Sequence, residues 1–536
     1  GQETISPRFT YHGYRFIEIT GIDKPLPVGA VKGVVLSSIH ELASRYETSN
    51  TQVNQLWKNI TWSSYGNFLS IPTDCPQRNE RLGWAGDISV FSRTATYLAD
   101  VPQFLRRYLR SMRDVQRTDG RFPDIAPLGG GFGGLLWGSA GITVPWECYQ
   151  QYGDTILLSE HYDAMKRYIQ YIIDNTIETE TNLIVQTRSW GDLCDWLGLE
   201  DEKNDKSLVW EAYFIYDLEL MAKMATVLGK VTDAEWFREL HAARKDFFNK
   251  TYIEPETGKT LFSAFVPEKK GSHIDIQTSY VLPLAFNIID EENRNKVIAN
   301  LAETVRRENT TDRGQQCPSY SLMTGFIGTS WINKALSDYG HSDLAYRLLQ
   351  QTSYPSWLYS IEQGATTIWE RLNSYTRTDG FGGNNRMNSF NHYSFGAVGA
   401  WMYNYSLGIQ RDETFPGFKQ FVLKPMPDPT GKMTYARGYY DSMYGRIESG
   451  WKVESGVIRY TFTVPANTTA ILYLPTASLR DVREKTKPVR KCKGVEFISE
   501  GNGEVVLKLL SGSYSFEVKK DYPLAARKRK KYVFVR

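Results

Sequence analysis

The sequence predicts a mainly helical protein, a closed ring of helix pairs finished by a small β-sandwich. Three observations carry this. Apolar residues recur at helical spacing from about residue 50 to 407, the period changes from 3.6 to 2 beyond Leu407, and long Gly-rich and aromatic loops join the helical stretches. At 536 residues the chain exceeds the size at which one hydrophobic core keeps growing, so two or more domains are expected.

In chain order, the first element predicted is a strand over Tyr14 to Thr20, whose alternation suits a sheet edge. Residues 1–45 then read as the end of an N-terminal β-domain with its linker, and no basic start followed by an apolar run marks a signal peptide. From residue 46 to 407 the chain reads as the helical ring. Val53, Leu56, Trp57 and Ile60 line one helical face, and Met165, Tyr168, Ile169 and Ile172 repeat the spacing. Similar stretches cover 87–98, 102–117, 143–151, 207–228, 232–249, 276–288, 291–307, 329–338, 342–351 and 394–406. Pro102 suits a first helical turn, and Asp233 with Glu235 places acid near a helix start. A ring of this kind leaves the loops at one end to build a site.

Residues 408–520 read as the sandwich. Ile458, Tyr460, Phe462 and Val464 alternate, "PANT" turns the chain into Ile471 and Tyr473, and "GEVVLKLLSGSYSFEV" adds two strands across Ser-Gly-Ser. The basic stretch 521–536 reads as a solvated tail.

Composition narrows the function. Hydrophobic residues at 41% and charged residues at 23% are ordinary for a globular protein, and a net charge of +3 argues against nucleic-acid and membrane partners. There is no apolar run long enough to span a bilayer. The 14 Trp and 33 Tyr offer flat apolar faces with polar edges, a match for sugar rings. Five widely spaced cysteines fit neither a disulfide framework nor a zinc site, and the seven histidines form no ligand pair, so free thiols, no metal and no cofactor are expected. The run Gly129 to Gly134 lacks the Lys-Ser/Thr ending of a phosphate loop and reads as a flexible loop. Compartment and oligomeric state are not legible.

One segment concentrates chemistry. "TDCPQRNERLGWAGD", Thr73 to Asp87, interleaves Asp74, Glu80, Asp87, Arg78 and Arg81 with Pro76, Gly83, Trp84 and Gly86, which suits a loop wrapped around something polar. It resembles the D-C-P-Q-R-D-E-R-x-G-W-x-G-D signature of the α-L-rhamnosidases of glycoside hydrolase family 78. "LLWGSAGITVPW", "GATTIWERL", "SFNHYSFGAVGAWMY" and "GYYDSMYGRIESGW" resemble further stretches of that family, in its order, from about Tyr11 to Val518. The resemblance implies an (α/α)6 barrel followed by a C-terminal antiparallel β-sandwich, with a short N-terminal β remnant of domains that precede the barrel in longer members. The chain departs from the pattern at Asn79 and Ser139, where the family carries Asp, and at Leu372, where it carries Trp.

Glycoside cleavage needs one protonated carboxyl for the leaving oxygen and one carboxylate to activate water or attack carbon. Glu80 has acidic neighbours and Trp84 to hold its proton, and Arg78 and Arg81 are expected to turn towards substrate or other acids. The resemblance makes Glu80 the general acid and Glu370 the general base, with Glu362 the rival on spacing and Trp369 excluding water. It makes Asp74, Arg78, Asp87 and His392 sugar ligands and Trp84 and Trp137 pocket walls. Trp190 and Trp196 are further candidates that also read as core rings. The expectation is an inverting α-L-rhamnosidase acting on carbohydrate, on rhamnosides or rhamnose-containing polysaccharide. Its alternatives are a barrel glycosidase for another sugar and a non-catalytic carbohydrate-binding protein.

Overall fold

Helices that are apolar all round belong inside a protein, and those with one apolar stripe belong on its outside. The computed structural model, which describes residues 3–14, 16–131, 134–186, 193–382, 388–454, 456–484 and 487–519, sorts its helices this way. The helices are α1 (Thr51–Asn67), α2 (Ala85–Leu98), α3 (Pro102–Asp114), α4 (Ala140–Tyr152), α5 (Thr155–Thr176), α6 (Lys206–Val227) and α7 (Val231–Tyr252). They continue as α8 (Gln277–Ala285), α9 (Glu291–Arg306), α10 (Phe326–Asp338), α11 (Ser342–Leu349), α12 (Trp357–Glu362) and α13 (Gly399–Trp401), the last set between a 3-10 turn, Ser394–Val398, and a π turn, Met402–Ser406. Nearly every residue of α2, α4, α8 and 394–403 is buried, whereas α3 buries only Leu105, Tyr108, Leu109 and Met112. Going round, α2 packs on α4, α4 on α6, α6 on α8, α8 on α10, α10 on Ser394–Val398, and that turn on α2, which closes an inner ring. The remaining helices form the outer layer, α5 against α4, α7 against α6, α9 against α8 and α11 against α10. This is the (α/α)6 barrel. Pro102 does open α3, and Asn50 caps α1 by accepting from the N–H groups of Gln52 and Val53. The short α12 carries too little periodicity to be predicted.

The strands are β1 (Ser44–Thr48), the small pairs β2 (Phe68–Leu69) with β3 (Ile71–Pro72) and β4 (Asn309–Thr310) with β5 (Gln316–Cys317), then β6 (Ile409–Arg411), β7 (Gln420–Leu423), β8 (Tyr435–Ser442) and β9 (Gly445–Glu454). After them come β10 (Val457–Val464), β11 (Thr469–Leu474), β12 (Val482–Glu484), β13 (Lys487–Pro488), β14 (Val495–Gly501), β15 (Glu504–Leu509) and β16 (Gly512–Lys519). Two sheets face each other, ordered β1-β8-β9-β10-β16-β12-β13 and β14-β15-β11-β7-β6. Pairing is antiparallel except between β7 and β11. The turns at "PANT" and Ser-Gly-Ser join strands of opposite sheets, so neither closes a hairpin; each carries the chain across the sandwich.

The strand expected over Tyr14 to Thr20 does not form at the described positions there. Phe16, Ile17 and Ile19 stay exposed with no partner strand, and an unpaired strand has nothing to stabilise it. The N-terminal strand is β1, which pairs with β8 in the register Tyr46 to Gly438 and spans the boundary drawn at 45/46. Barrel and sandwich are tied by buried polar contacts. Arg93 and Arg411 both pair with Glu147, at 2.7 and 2.6 Å, and although burial pushes the Glu147 carboxyl up, the two guanidinium groups win and lower it to about 2. Among the described residues no helix is long and apolar enough to cross a membrane. All five cysteines are free, four of them buried. The tail 521–536 lies outside the described residues.

Candidate active site

The loop Asp74–Trp84 leads into α2 and is clamped at its neck. Asp74 N–H donates to the Leu82 carbonyl at 2.9 Å, and Leu82 N–H returns a bond to Asp74 Oδ1 at 2.8 Å. This closed neck turns the charged side chains inward, while Asn79 and Arg81 point to solvent. Arg78 is the hub. One guanidinium nitrogen contacts Glu80 Oε2 and stands 3.8 Å from both Asp74 Oδ2 and Glu370 Oε2. The expectation that Arg78 would turn away from Glu80 is therefore corrected: nothing else in the site lies as close to the guanidinium. On its other oxygen Glu80 accepts the Trp84 indole N–H at 2.6 Å.

Glu370 arrives from the segment between α12 and Ser394–Val398. Its backbone exchanges with Ser389: Glu370 N–H donates to the Ser389 carbonyl at 2.9 Å, and Ser389 N–H donates to Glu370 Oε2 at 3.1 Å. The rival Glu362 ends α12 in solvent, bonded to Gln52. Trp369 is buried beside Phe390, ring centres 5.4 Å apart.

Asp87, in the first turn of α2, accepts from Ser394 Oγ at 2.7 Å and meets His392 Nε2 at 2.7 Å. His392 is buried, its ring 5.3 Å from Phe326, and its Nδ1 has no hydrogen-bond partner. Burial would lower its pKa, but the hydrogen bond and charge of Asp87, with Glu370 and Asp74 behind it, raise it to about 9. The carboxyl that burial lifts is that of Asp74, pushed to about 7 with Glu80 and Asp87 adding and His392 opposing. That cross-influence places the two acid groups around one space, at the N-terminal ends of α2, α4 and α10.

Trp137 lies just ahead of α4, 4% exposed and pressed on α2: a Cβ at Gly86 would sit 2.5 Å from its ring. Its turn holds Leu136 at φ 78°, a backbone conformation costly for leucine. Ser139 Oγ accepts from Leu136 N–H at 3.3 Å and donates to the buried Asp217 Oδ2 at 2.6 Å. Asp217, whose pKa burial drives far above the usual range against the Ser139 bond, is thus a support of the Trp137 turn that the sequence did not reveal. The Trp196 ring is 41% exposed, although its carbonyl accepts from Phe326 N–H at 2.9 Å; next to it Asp195 accepts from the N–H groups of Gly325 and Gly328 at the start of α10. Trp190 lies outside the described residues. Gln77, Gly86, Ser389 and Ser394 were also missed, although all four sit inside the quoted motifs. Among the described residues, Asp74, Cys75 and Glu80 alone have the spacing to hold a metal ion. The Arg78 cation among them and a Cys75 thiol pushed up by burial disfavour one.

Two families of similarity meet at this geometry. Residues 41–406 match the model of the bacterial alpha-L-rhamnosidase 6 hairpin glycosidase domain, and residues 408–488 that of the bacterial alpha-L-rhamnosidase C-terminal domain. An alpha-L-rhamnosidase of Streptomyces avermitilis is 37% identical over 520 residues, covering 97% of this chain and 46% of that protein. One of Formosa agariphila is 34% identical over 523 residues, covering 96% and 53%. The crystal structure of the Streptomyces avermitilis alpha-L-rhamnosidase complexed with L-rhamnose superposes with a TM-score of 0.78 at 36% identity, over 90% of this chain and 43% of that one. The native enzyme of Aspergillus terreus gives 0.77 at 30% identity, over 92% and 52%. The chain spans about half the length of the relatives it matches.

Proposed function

The chain belongs to the bacterial α-L-rhamnosidase family, and from that premise we propose that it is a glycoside hydrolase releasing terminal α-L-rhamnose from glycans or plant glycosides, with Glu80 as general acid and Glu370 as general base. The observation that carries the assignment is the single Arg78 nitrogen shared by Glu80 and Glu370, carboxylates 290 residues apart in sequence. A binding protein has no use for two acids converging on one space. Inverting hydrolysis requires them, one to protonate the glycosidic oxygen and one to take a proton from the water that attacks the anomeric carbon from the opposite face.

In the empty site the Arg78 contact favours ionised Glu80, which is the wrong state for an acid. Sugar hydroxyls that accept from Arg78 draw the guanidinium off Glu80. Glu80 is then left beside Asp74, with the Trp84 bond on one oxygen, and retains its proton for the leaving group. Asp74, Asp87 and His392 serve as hydroxyl ligands, and Trp137 faces the apolar side of the sugar, where each buried carbon gains about 0.8 kcal/mol. Hydrolysis of p-nitrophenyl α-L-rhamnoside tests the reading. Glu80→Gln should spare this good leaving group more than an alkyl rhamnoside, and Glu370→Gln should impair both alike. An active Glu370→Gln enzyme overturns the assignment of the base.

A further inference from the structure

The segment ahead of β1 is irregular apart from one 3-10 turn, and it leaves Ile5, Phe9, Phe16 and Val28 exposed. It nevertheless meets the catalytic loop at two points. The Tyr11 ring lies under the Arg81 guanidinium, 5.6 Å from ring centre to carbon, directly beside Glu80 in the chain. Gly13 approaches the loop backbone so closely that a Cβ there would fall 2.5 Å from Gln77 Cβ and 2.8 Å from Gln77 Cα. Only glycine permits that contact, because neither of those atoms can swing aside as the tip of a flexible side chain would.

Gln77 does not stop at the strap. Its Nε2 donates to Ser389 Oγ at 3.0 Å, and Ser389 N–H donates to Glu370 Oε2 at 3.1 Å. The loop between its clamped ends has no helix or strand of its own, so its position depends on such contacts. We propose that the strap Tyr11–Gly13 braces the catalytic loop, with Gly13 a positioning residue that acts through Gln77 and Ser389 on the carboxylate of Glu370. This rests on the reading of Glu370 as the base. Burial raises the Tyr11 phenol, opposed by Arg81, which accords with a ring seated on the loop and not adrift.

The test uses Gly13→Val, Gln77→Ala and the double variant in the full chain. Gly13→Val is expected to lower kcat on p-nitrophenyl α-L-rhamnoside about ten- to a hundredfold, with KM and Tm little changed, since a displaced base costs turnover and not binding. In the Gln77→Ala background, Gly13→Val should add no further loss, because the coupling partner is already gone. Unchanged kcat, a loss that only tracks Tm, or losses that multiply in the double variant would each overturn the brace. Amide hydrogen exchange gives a readout independent of activity: Gly13→Val should accelerate exchange at Glu370 and Ser389 and leave the barrel helices unchanged. Unaltered exchange at both amides sinks the proposal. If Glu370→Gln is fully active while exchange responds to Gly13→Val, the strap does brace the loop and the identity of the base is what fails.

Discussion

His392 Nε2 meets Asp87 Oδ1 at 2.7 Å across 305 residues of chain, and the pair joins the last inner segment of the barrel to the first turn of α2. Burial alone would discharge the imidazole, yet Asp87, Glu370 and Asp74 raise it from 6.5 to about 9. The folded protein therefore holds a proton that the unfolded chain releases. The stabilisation is fully present below pH 6.5 and is lost as pH rises through 9, on the order of 3 kcal/mol. Tm measured from pH 6 to 9.5 should fall over that window, and His392→Gln should flatten the curve. An equally steep curve in the variant contradicts this.

Asp74 acts in the same direction in a lower window. Burial, with Glu80 and Asp87, lifts its pKa from 3.8 to about 7, so its contribution is complete below pH 3.8 and is lost as pH rises through 7. Asp74→Asn should remove the stability slope between pH 4 and 7 and raise Tm at pH 8 relative to the unsubstituted chain. A lower Tm at pH 8 would show that the ionised carboxylate is what the fold requires.

Gly86 is the floor on which Trp137 rests. Adding one methyl at Gly86 drives a carbon to 2.5 Å from the ring, and overpacking of this kind costs roughly 1–3 kcal/mol. Gly86→Ala should raise KM for rhamnosides about tenfold as Trp137 shifts. Unchanged KM with intact Tm removes Trp137 from the sugar's wall.

The Ser139–Asp217 bond predicts an asymmetry. Asp217 is neutral at ordinary pH because burial raises it so far, so Asp217→Asn exchanges one neutral group for another. Ser139→Ala leaves the buried acid without its hydroxyl and should cost about 1–3 kcal/mol. Equal Tm losses in the two variants would contradict the reading of Asp217 as neutral.

Much of this was legible because the barrel's helices carry a strong period and the catalytic loop packs its chemistry into fifteen residues. What escaped has physical causes. Ser389 supports Glu370 through a backbone N–H, which every residue but proline owns and no sequence pattern marks. Asp217 sits in a helix buried nearly all round, where a lone acid reads as an exposed face. Alternation over 14–20 promised a strand, but the partner that makes a strand is not a local property. β1, "SRYET", is too short and polar to stand out, and its partner lies about 390 residues away. The Arg78–Glu80 contact also reversed an expectation, since charge spacing does not say which acid an arginine chooses.

The account stands most directly on the roles of Glu80 and Glu370. If Glu370 activates water opposite the bond that Glu80 protonates, hydrolysis inverts the anomeric centre. Proton NMR of the sugar freshly released from an α-linked rhamnoside, recorded before mutarotation, reads that outcome. First-formed β-L-rhamnose is the predicted result, and first-formed α-L-rhamnose would contradict the assignment of Glu370 as base.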